Sequence, residues 1–228
     1  SRLCQSMTAP ALSSETQGLF MPGKQNKMNS RLKDKMERLG FRLTSIDLFS
    51  GPGGLATGFK WAGILPLIAV EWTDTTAKTY SRNHDVEVFE LSKYRSVKNK
   101  NNKDYLDSFC VESDRSVLIH GDINLVSSQL IKELLNRRFG IDCNNETVDV
   151  VSGGAPCESF SLAGTRTIGD DRDELFSNIS RIARTVNSKA ILFENVKGLF
   201  SKKSKEGIQG AIFQYICDTF ERGGKYQL

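Results

Sequence analysis

Short apolar runs alternate with segments of helical periodicity along most of the chain. Runs rich in Val, Ile, Leu and Phe predict buried strands, and apolar residues at intervals of three and four predict helices between them. The predicted strands are Leu43–Phe49, Leu65–Val70, Ser116–His120, Val148–Val151 and Ala190–Phe193. The predicted helices are Ser30–Leu39, 55–63, Asp74–Asn83, 130–139, 175–186 and Gly207–Arg222. This alternation predicts an α/β fold.

The polar stretches define the domain organisation. Residues 1–42 are expected to be a mobile extension containing one short helix, with Ser30 as its N-cap, and residues 43–228 one catalytic domain. The Lys- and Asn-rich segment 92–115 favours a solvated surface loop. A second polar segment, Leu162–Arg172, is expected to act as a lid.

Composition narrows the class of protein. A chain of 228 residues with 39% hydrophobic and 25% charged residues is typical of a globular, cytoplasmic protein, or a nuclear one in a eukaryote, without a membrane span or signal peptide. Five cysteines without a C-x-x-C pair argue against a zinc site and a disulfide framework. The net charge of +4 permits a nucleic-acid partner but does not require one.

A glycine turn follows the first strand. Gly51, Gly53 and Ala56 fit a loose G-x-G-x-x-A pattern between a strand and a helix, where bare backbone can approach a nucleotide. Glu71 and Trp72 end the next strand and suit the ribose and purine of an adenosine. The glycines alone leave three readings open: a structural turn, a dinucleotide site and an adenosyl site. A nicotinamide dehydrogenase is disfavoured because no histidine is placed for hydride transfer.

Cys157 is the candidate nucleophile. It follows the fourth strand on a Gly-Gly-Ala-Pro turn, although a cysteine there could equally be a buried core residue. Glu194 ends the fifth strand, so a thiol and a proton donor are expected at one edge of the sheet.

Four blocks together resemble the DNA cytosine carbon-5 methyltransferase family: DLFSGPGG at 47–54, GD at 121–122, GGAPCESFS at 153–161 and ENV at 194–196. The resemblance implies a doubly wound, mostly parallel, Rossmann-like sheet that binds S-adenosylmethionine, and no metal. It implies catalytic roles for Cys157, Pro156, Glu194 and Asn195. It implies cofactor contacts from Phe49, Gly51, Gly53, Gly54, Glu71, Trp72, Asp122 and Ile123.

The implied reaction is methylation of carbon 5 of a cytosine flipped out of double-stranded DNA, in a restriction-modification system. Cys157 would add to carbon 6, and Glu194 would protonate ring nitrogen 3 if burial raises its pKa. Two positions depart from the family pattern: Glu158 stands where Gln is usual, and Asp173 where Gly is common.

The resemblance stops before the family's target-recognition domain and its closing helix. We therefore expect a catalytic portion truncated at its C-terminus, or one half of a split enzyme whose second polypeptide carries the recognition domain. A tRNA cytosine-5 methyltransferase and a non-catalytic adenosine-binding subunit are the alternatives.

Overall fold

The computed structural model describes residues 28–96, 101–110, 113–155, 175–197, 199 and 210–227. Within them, six parallel strands form one sheet with flanking helices. The strands are β1 (Leu43–Leu48), β2 (Ile64–Glu71), β3 (Val86–Glu90), β4 (Ser116–His120), β5 (Val150–Gly153) and β6 (Ala190–Phe193). The helices are α1 (Ser30–Leu39), α2 (Gly54–Trp61), α3 (Asp74–Asn83), α4 (Leu91–Ser96), α5 (Asn101–Phe109), α6 (Ser128–Phe139), α7 (Ser177–Thr185) and α8 (Ala211–Glu221).

The strand order is β3-β4-β2-β1-β5-β6. From β1 the chain forms β2 beside it and then the edge strand β3, and β4 enters between β2 and β3. The chain then crosses to the other side of β1, where it forms β5 and β6. The predicted doubly wound, Rossmann-like fold is therefore confirmed. In such sheets the crevice at the carboxyl ends of the two strands where the direction reverses is the usual ligand site, here between β1 and β5.

The central strands are buried on both faces, as parallel strands covered by helices must be. Ile46 and Leu48 of β1 and Leu67 of β2 have no exposed surface. Pro66 interrupts β2, and the β1–β2 register shifts beside it, because proline has no N–H to donate to the ladder.

The expectation of a solvated loop over residues 92–115 is wrong. The sequence analysis also missed β3. Tyr94 of α4 and Tyr105 and Phe109 of α5 stack around the buried ring of Phe89, with ring centroids 5.0–5.5 Å apart. The same helices contribute the buried side chains of Leu91 and Leu106 to the core, so both pack on the sheet although Lys and Asn are frequent in the segment.

Several predictions concern residues outside the described part. Residues 1–27 of the predicted extension 1–42 lie outside it, and so does the whole of the predicted lid, Leu162–Arg172. Helix α1 has the predicted bounds, but its N-cap is Asn29, whose Oδ1 accepts from the N–H of Arg31. Among the described helices, none has the length and apolar character needed to cross a bilayer.

Candidate active site

The turn between β1 and α2 has a backbone that few residues other than glycine adopt. Gly51 and Gly53 have φ of 53° and 96°, and Phe49 also has a positive φ, of 56°. A Cβ on Gly53 would lie 2.1 Å from Nε2 of His84. Glycine is therefore required at this position by backbone conformation and by packing together.

His84, which is 6% exposed, packs directly against this turn. Its Nε2 lies 3.1 Å from the carbonyl oxygen of Gly53, and its Nδ1 lies 2.8 Å from Nζ of Lys60. A lysine ammonium only donates, so Nδ1 accepts and Nε2 carries the proton that reaches Gly53. Burial and then the charge of Lys60 lower the pKa of His84, against the opposing effect of the Gly53 bond. The sequence analysis gave His84 no role.

Glu71 ties the glycine turn to the end of β2. One carboxylate oxygen accepts from the N–H of Gly51 at 2.8 Å. The other accepts from the N–H of Thr73 and the hydroxyl of Thr76, each at 2.8 Å, at the beginning of α3. These bonds use part of the carboxylate's capacity, since two oxygens offer about four acceptor sites. Contact of Glu71 with a ribose stays a prediction.

Trp72 and Asp122 line one cavity of about 250 Å³ beyond the ends of β2 and β4. Trp72 is 69% exposed, while Ile123 is buried behind the cavity. Asp122 caps the 3-10 turn Ile123–Leu125 by accepting from the N–H of Asn124 at 2.9 Å. His120 also lines this cavity, and its Nε2 lies 3.2 Å from the carbonyl oxygen of Trp72. The structure thus brings together the residues predicted to hold an adenine.

A second cavity, of about 460 Å³, occupies the crevice between β1 and β5. Its lining residues are Asp47, Phe49, Ser50, Gly51, Pro52, Gly54, Leu55, Gly154 and Glu194. The glycine turn and Glu194 therefore face the same space. Oε2 of Glu194 lies so near Gly154 that a Cβ there would be 2.9 Å away. Glu194 is exposed, so the described residues do not supply the burial expected for it.

Asp47 is a site residue that the sequence analysis missed. It is 1% exposed, and Oδ1 accepts from the Ser152 hydroxyl at 2.8 Å, whereas Oδ2 is buried and has no hydrogen-bond partner among the described residues. Burial raises the pKa of Asp47 to about 7, and the Ser152 bond opposes that rise. The sequence gives no clear signal for it, because β1 also contains Thr44 and Ser45 and an aspartate is not unusual among them.

The described residues after β5 reach Ala155, which is buried. Cys157, Pro156 and Glu158 lie outside the described residues. Asn195 follows Glu194, and its Oδ1 accepts from the N–H of Val196 at 2.8 Å. Within the described part of the chain, no group of three or more His, Cys, Asp or Glu side chains is placed to bind a metal ion.

The curated proteins that this chain resembles include several bacterial type II methyltransferases. The type II methyltransferase M.FnuDI of Fusobacterium nucleatum is 31% identical over 75% of this chain and 37% of its own length. M1.HphI of Haemophilus parahaemolyticus is 32% identical over 80% of this chain and 38% of its own length. The chain thus spans less than half the length of these two relatives.

A solved structure agrees in fold. A prophage-encoded E. coli protein, assigned as a DNA modification methyltransferase, matches 79% of this chain and 38% of its own chain, with a TM-score of 0.50 and 23% identity. The model of the C-5 cytosine-specific DNA methylases matches residues 43–111 and 96–228. With its parallel sheet, its glycine turn and Glu194 at one cavity, the chain belongs to the family of C-5 cytosine-specific DNA methylases.

Proposed function

We propose that this chain is the cofactor-binding and catalytic portion of a DNA (cytosine-5-)-methyltransferase that uses S-adenosylmethionine and protects DNA in a restriction-modification system. The observation that carries the proposal is the 460 Å³ cavity at the β1–β5 crevice, where the glycine turn meets Glu194. The family and its type II relatives support double-stranded DNA as the substrate. The need for a reduced thiol and for access to DNA supports a location in the cytoplasm, or in the nucleus of a eukaryote.

The donor groups of the site fit the proposed cofactor. Asp47 presents a buried oxygen without a partner to a cavity that must receive an ammonium group and a sulfonium. In this proposal Glu71 would hold the ribose and Trp72 would lie against the adenine, with Asp122 and Ile123 on the polar edge of the adenine. When bound, S-adenosylmethionine supplies an electrophilic methyl group.

The protein's own residues activate the cytosine. The Cys157 thiolate forms a bond to carbon 6, and Glu194 places a proton on ring nitrogen 3, so that carbon 5 becomes nucleophilic. Pro156 and Asn195 position the two catalytic side chains. After carbon 5 is methylated, a base removes its proton, the carbon–sulfur bond breaks and the thiolate is restored. The proton on ring nitrogen 3 returns to Glu194, which leaves neutral 5-methylcytosine. The target base must leave the stack to reach Cys157.

The target-recognition function belongs, in this proposal, to chain that the present sequence does not contain. Either a continuation of the same polypeptide or a second polypeptide supplies it. The relatives support this division, since the chain matches only 37% and 38% of M.FnuDI and M1.HphI.

Trapping with 5-fluorocytosine tests the proposal. The complete protein, with any partner polypeptide, is incubated with S-adenosylmethionine and a duplex containing 5-fluorocytosine, whose fluorine blocks the elimination step. We expect a covalent adduct that Cys157→Ser abolishes and Cys217→Ser, a control at a buried cysteine of α8, leaves intact. Adducts that persist in Cys157→Ser would refute the mechanism.

The same assay separates the alternatives. Trapping on a fluorinated tRNA but not on the duplex would assign the protein to the tRNA-directed enzymes. Cofactor binding without trapping on either nucleic acid would indicate a non-catalytic adenosine-binding subunit.

A further inference from the structure

Helix α7 reaches the turn predicted to contact the adenine through one arginine. Nη2 of Arg181 donates to the carbonyl oxygen of Ile123 at 3.3 Å. Nη1 lies 3.4 Å from the hydroxyl oxygen of Ser128, at the beginning of α6. One guanidinium therefore joins three elements: α7, the 3-10 turn Ile123–Leu125 and α6.

Asn178 extends this contact to the next residue of the turn. Its Oδ1 accepts from Nε and Nη2 of Arg181, at 3.2 and 2.7 Å, so the amide group can have only one orientation. Its Nδ2 then donates to Oδ1 of Asn124 at 2.9 Å. Asn178 is only 6% exposed, so the geometry is fixed by packing. The turn is held internally by the Asp122 cap and externally by this pair.

Arg181 carries a positive charge that no carboxylate of the described residues neutralises in an ion pair. Burial lowers the pKa of its guanidinium, and within the described part of the chain no carboxylate forms a salt bridge with it. Its bonds go to the carbonyl, amide and hydroxyl oxygens described above. Burying a cation without a carboxylate partner lowers the stability of the fold, because the charge loses part of its hydration. The advantage of the guanidinium is the rigid planar fork, which contacts several oxygens in one geometry.

We propose that Arg181, acting through Asn178, is a positioning residue for the cofactor: it sets the 3-10 turn that presents Asp122 and Ile123 to the adenine end of S-adenosylmethionine. This inference rests on the proposed function. The same helix packs Ile179 against Gly153 at the end of β5, where a Cβ would meet its Cδ1 at 2.8 Å. Helix α7 thus contacts both the adenine turn and the strand that leads to Cys157.

Arg184 provides a matched control on the same helix. It also donates to main-chain carbonyls, but those of Thr219 and Phe220 in α8, at 3.2 and 3.0 Å. Arg181→Lys and Arg184→Lys both exchange a fork for a single ammonium, so both lower thermal stability. Only Arg181→Lys loosens the adenine turn.

The test measures affinity for S-adenosylmethionine and for methylthioadenosine, which keeps the adenosine but lacks the amino-acid part, in the complete protein. We expect Arg181→Lys to weaken both ligands about fivefold and to raise the KM for S-adenosylmethionine, with kcat at saturation unchanged. Arg184→Lys should leave both affinities unchanged. Asn178→Ala, which removes the link to Asn124, should reproduce the loss, and it serves if Arg181→Lys does not fold.

Three results would overturn the inference. They are equal losses of affinity in the Arg181 and Arg184 variants, a fall in kcat without a change in KM, and unchanged methylthioadenosine affinity in Arg181→Lys. An unaltered protein that binds no S-adenosylmethionine would instead refute the proposed function, so the two failures are distinguishable.

Discussion

Asp47 and Asp149 lie at opposite ends of the neighbouring strands β1 and β5, and their carboxylates differ in how fully they are hydrogen-bonded. Asp149, just before β5, accepts from the N–H and hydroxyl of Thr44 at 2.8 and 3.0 Å and from Nζ of Lys189 at 2.6 Å. Burial alone would raise the pKa of Asp149, but the Lys189 bond and the Thr44 bonds together lower it. Asp47, on β1, has one hydroxyl donor and one buried oxygen without a partner.

This difference in hydrogen bonding distinguishes a carboxylate that stabilises the fold, Asp149, from one that is available to a ligand, Asp47. At the amino edge of the sheet, a buried charge is satisfied by the protein itself: Nζ of Lys35 donates to Asp85 at 3.2 Å and to the carbonyl oxygen of Asp114 at 2.7 Å. At the carboxyl edge, Asp47 is left for a ligand to satisfy. A buried polar group without a partner costs stability and is expected where something binds.

The largest expected change in the free energy of unfolding comes from a substitution at the amino edge of the sheet. The Arg138 side chain is fully buried and donates to the carbonyls of Arg115 and Phe109 in addition to its pair with Glu87. Arg138→Ala removes this fully buried side chain together with its ion pair and both carbonyl bonds, and it should lower the free energy of unfolding by about 3–5 kcal/mol. Chemical denaturation measures it. The partly exposed Arg137→Ala is the control, with about 1 kcal/mol or less expected, and an equal loss in both would contradict the contrast.

The second effect is a pH dependence that should have opposite signs at the two edges. Because folding raises the pKa of Asp47 from 3.8 to about 7, its stability contribution is present below pH 3.8 and is lost as pH rises to about 7. The wild type should therefore lose up to about 4 kcal/mol relative to Asp47→Asn over that interval.

Denaturation of both proteins from pH 4 to pH 8 measures this difference. Asp149, whose pKa is lowered, should show the reverse: its contribution is lost as pH falls through the folded pKa. A wild type that gains stability over Asp47→Asn with rising pH would show that Asp47 already has a cationic partner.

The third effect concerns the ligand. Asp47→Asn keeps the shape of the side chain but removes the negative charge offered to the cofactor, so affinity for S-adenosylmethionine should fall about 10- to 100-fold at pH 8. Stability at that pH should not fall, because the buried charge is relieved. Isothermal titration calorimetry measures the affinity, and unchanged binding would remove Asp47 from the site.

The smallest effect is expected from Asp149→Asn. It weakens the charged bonds to Lys189 and Thr44 and should cost about 1–2 kcal/mol of unfolding free energy. Calorimetric affinity for S-adenosylmethionine should not change. A loss of affinity comparable to that of Asp47→Asn would show that the two edges are not functionally separate.

Sequence patterns predicted most of the sheet because β2, β4 and β6 are largely apolar runs and β1 and β5 each contain a short one. Helix α3 and strands β4 and β6 have the predicted bounds. The failure at residues 86–109 has a physical reason: Val86–Glu90 alternates with glutamates as an edge strand does, and its helices depend on aromatic contacts to Phe89 that composition does not reveal.

The candidate site was predictable only in part. Residues with a chemical signature, such as the glycine turn and Glu194, could be found from order and spacing. Asp47, His84 and Arg181 could not, because their roles depend on which side chains packing brings near them. An unpartnered oxygen on Asp47, or a ring beneath Gly53, is a property of the folded chain alone.

The pairing of β1 with β5 also has a kinetic consequence. The bonds from Thr44 to Asp149 join residues 105 positions apart, so the crevice between these strands forms only after a long loop has closed. Closing such a loop is slow compared with forming β1–β2 or an isolated helix. A cofactor bound in that crevice would therefore mainly lower the unfolding rate and lengthen the lifetime of the folded enzyme. It would barely change the folding rate.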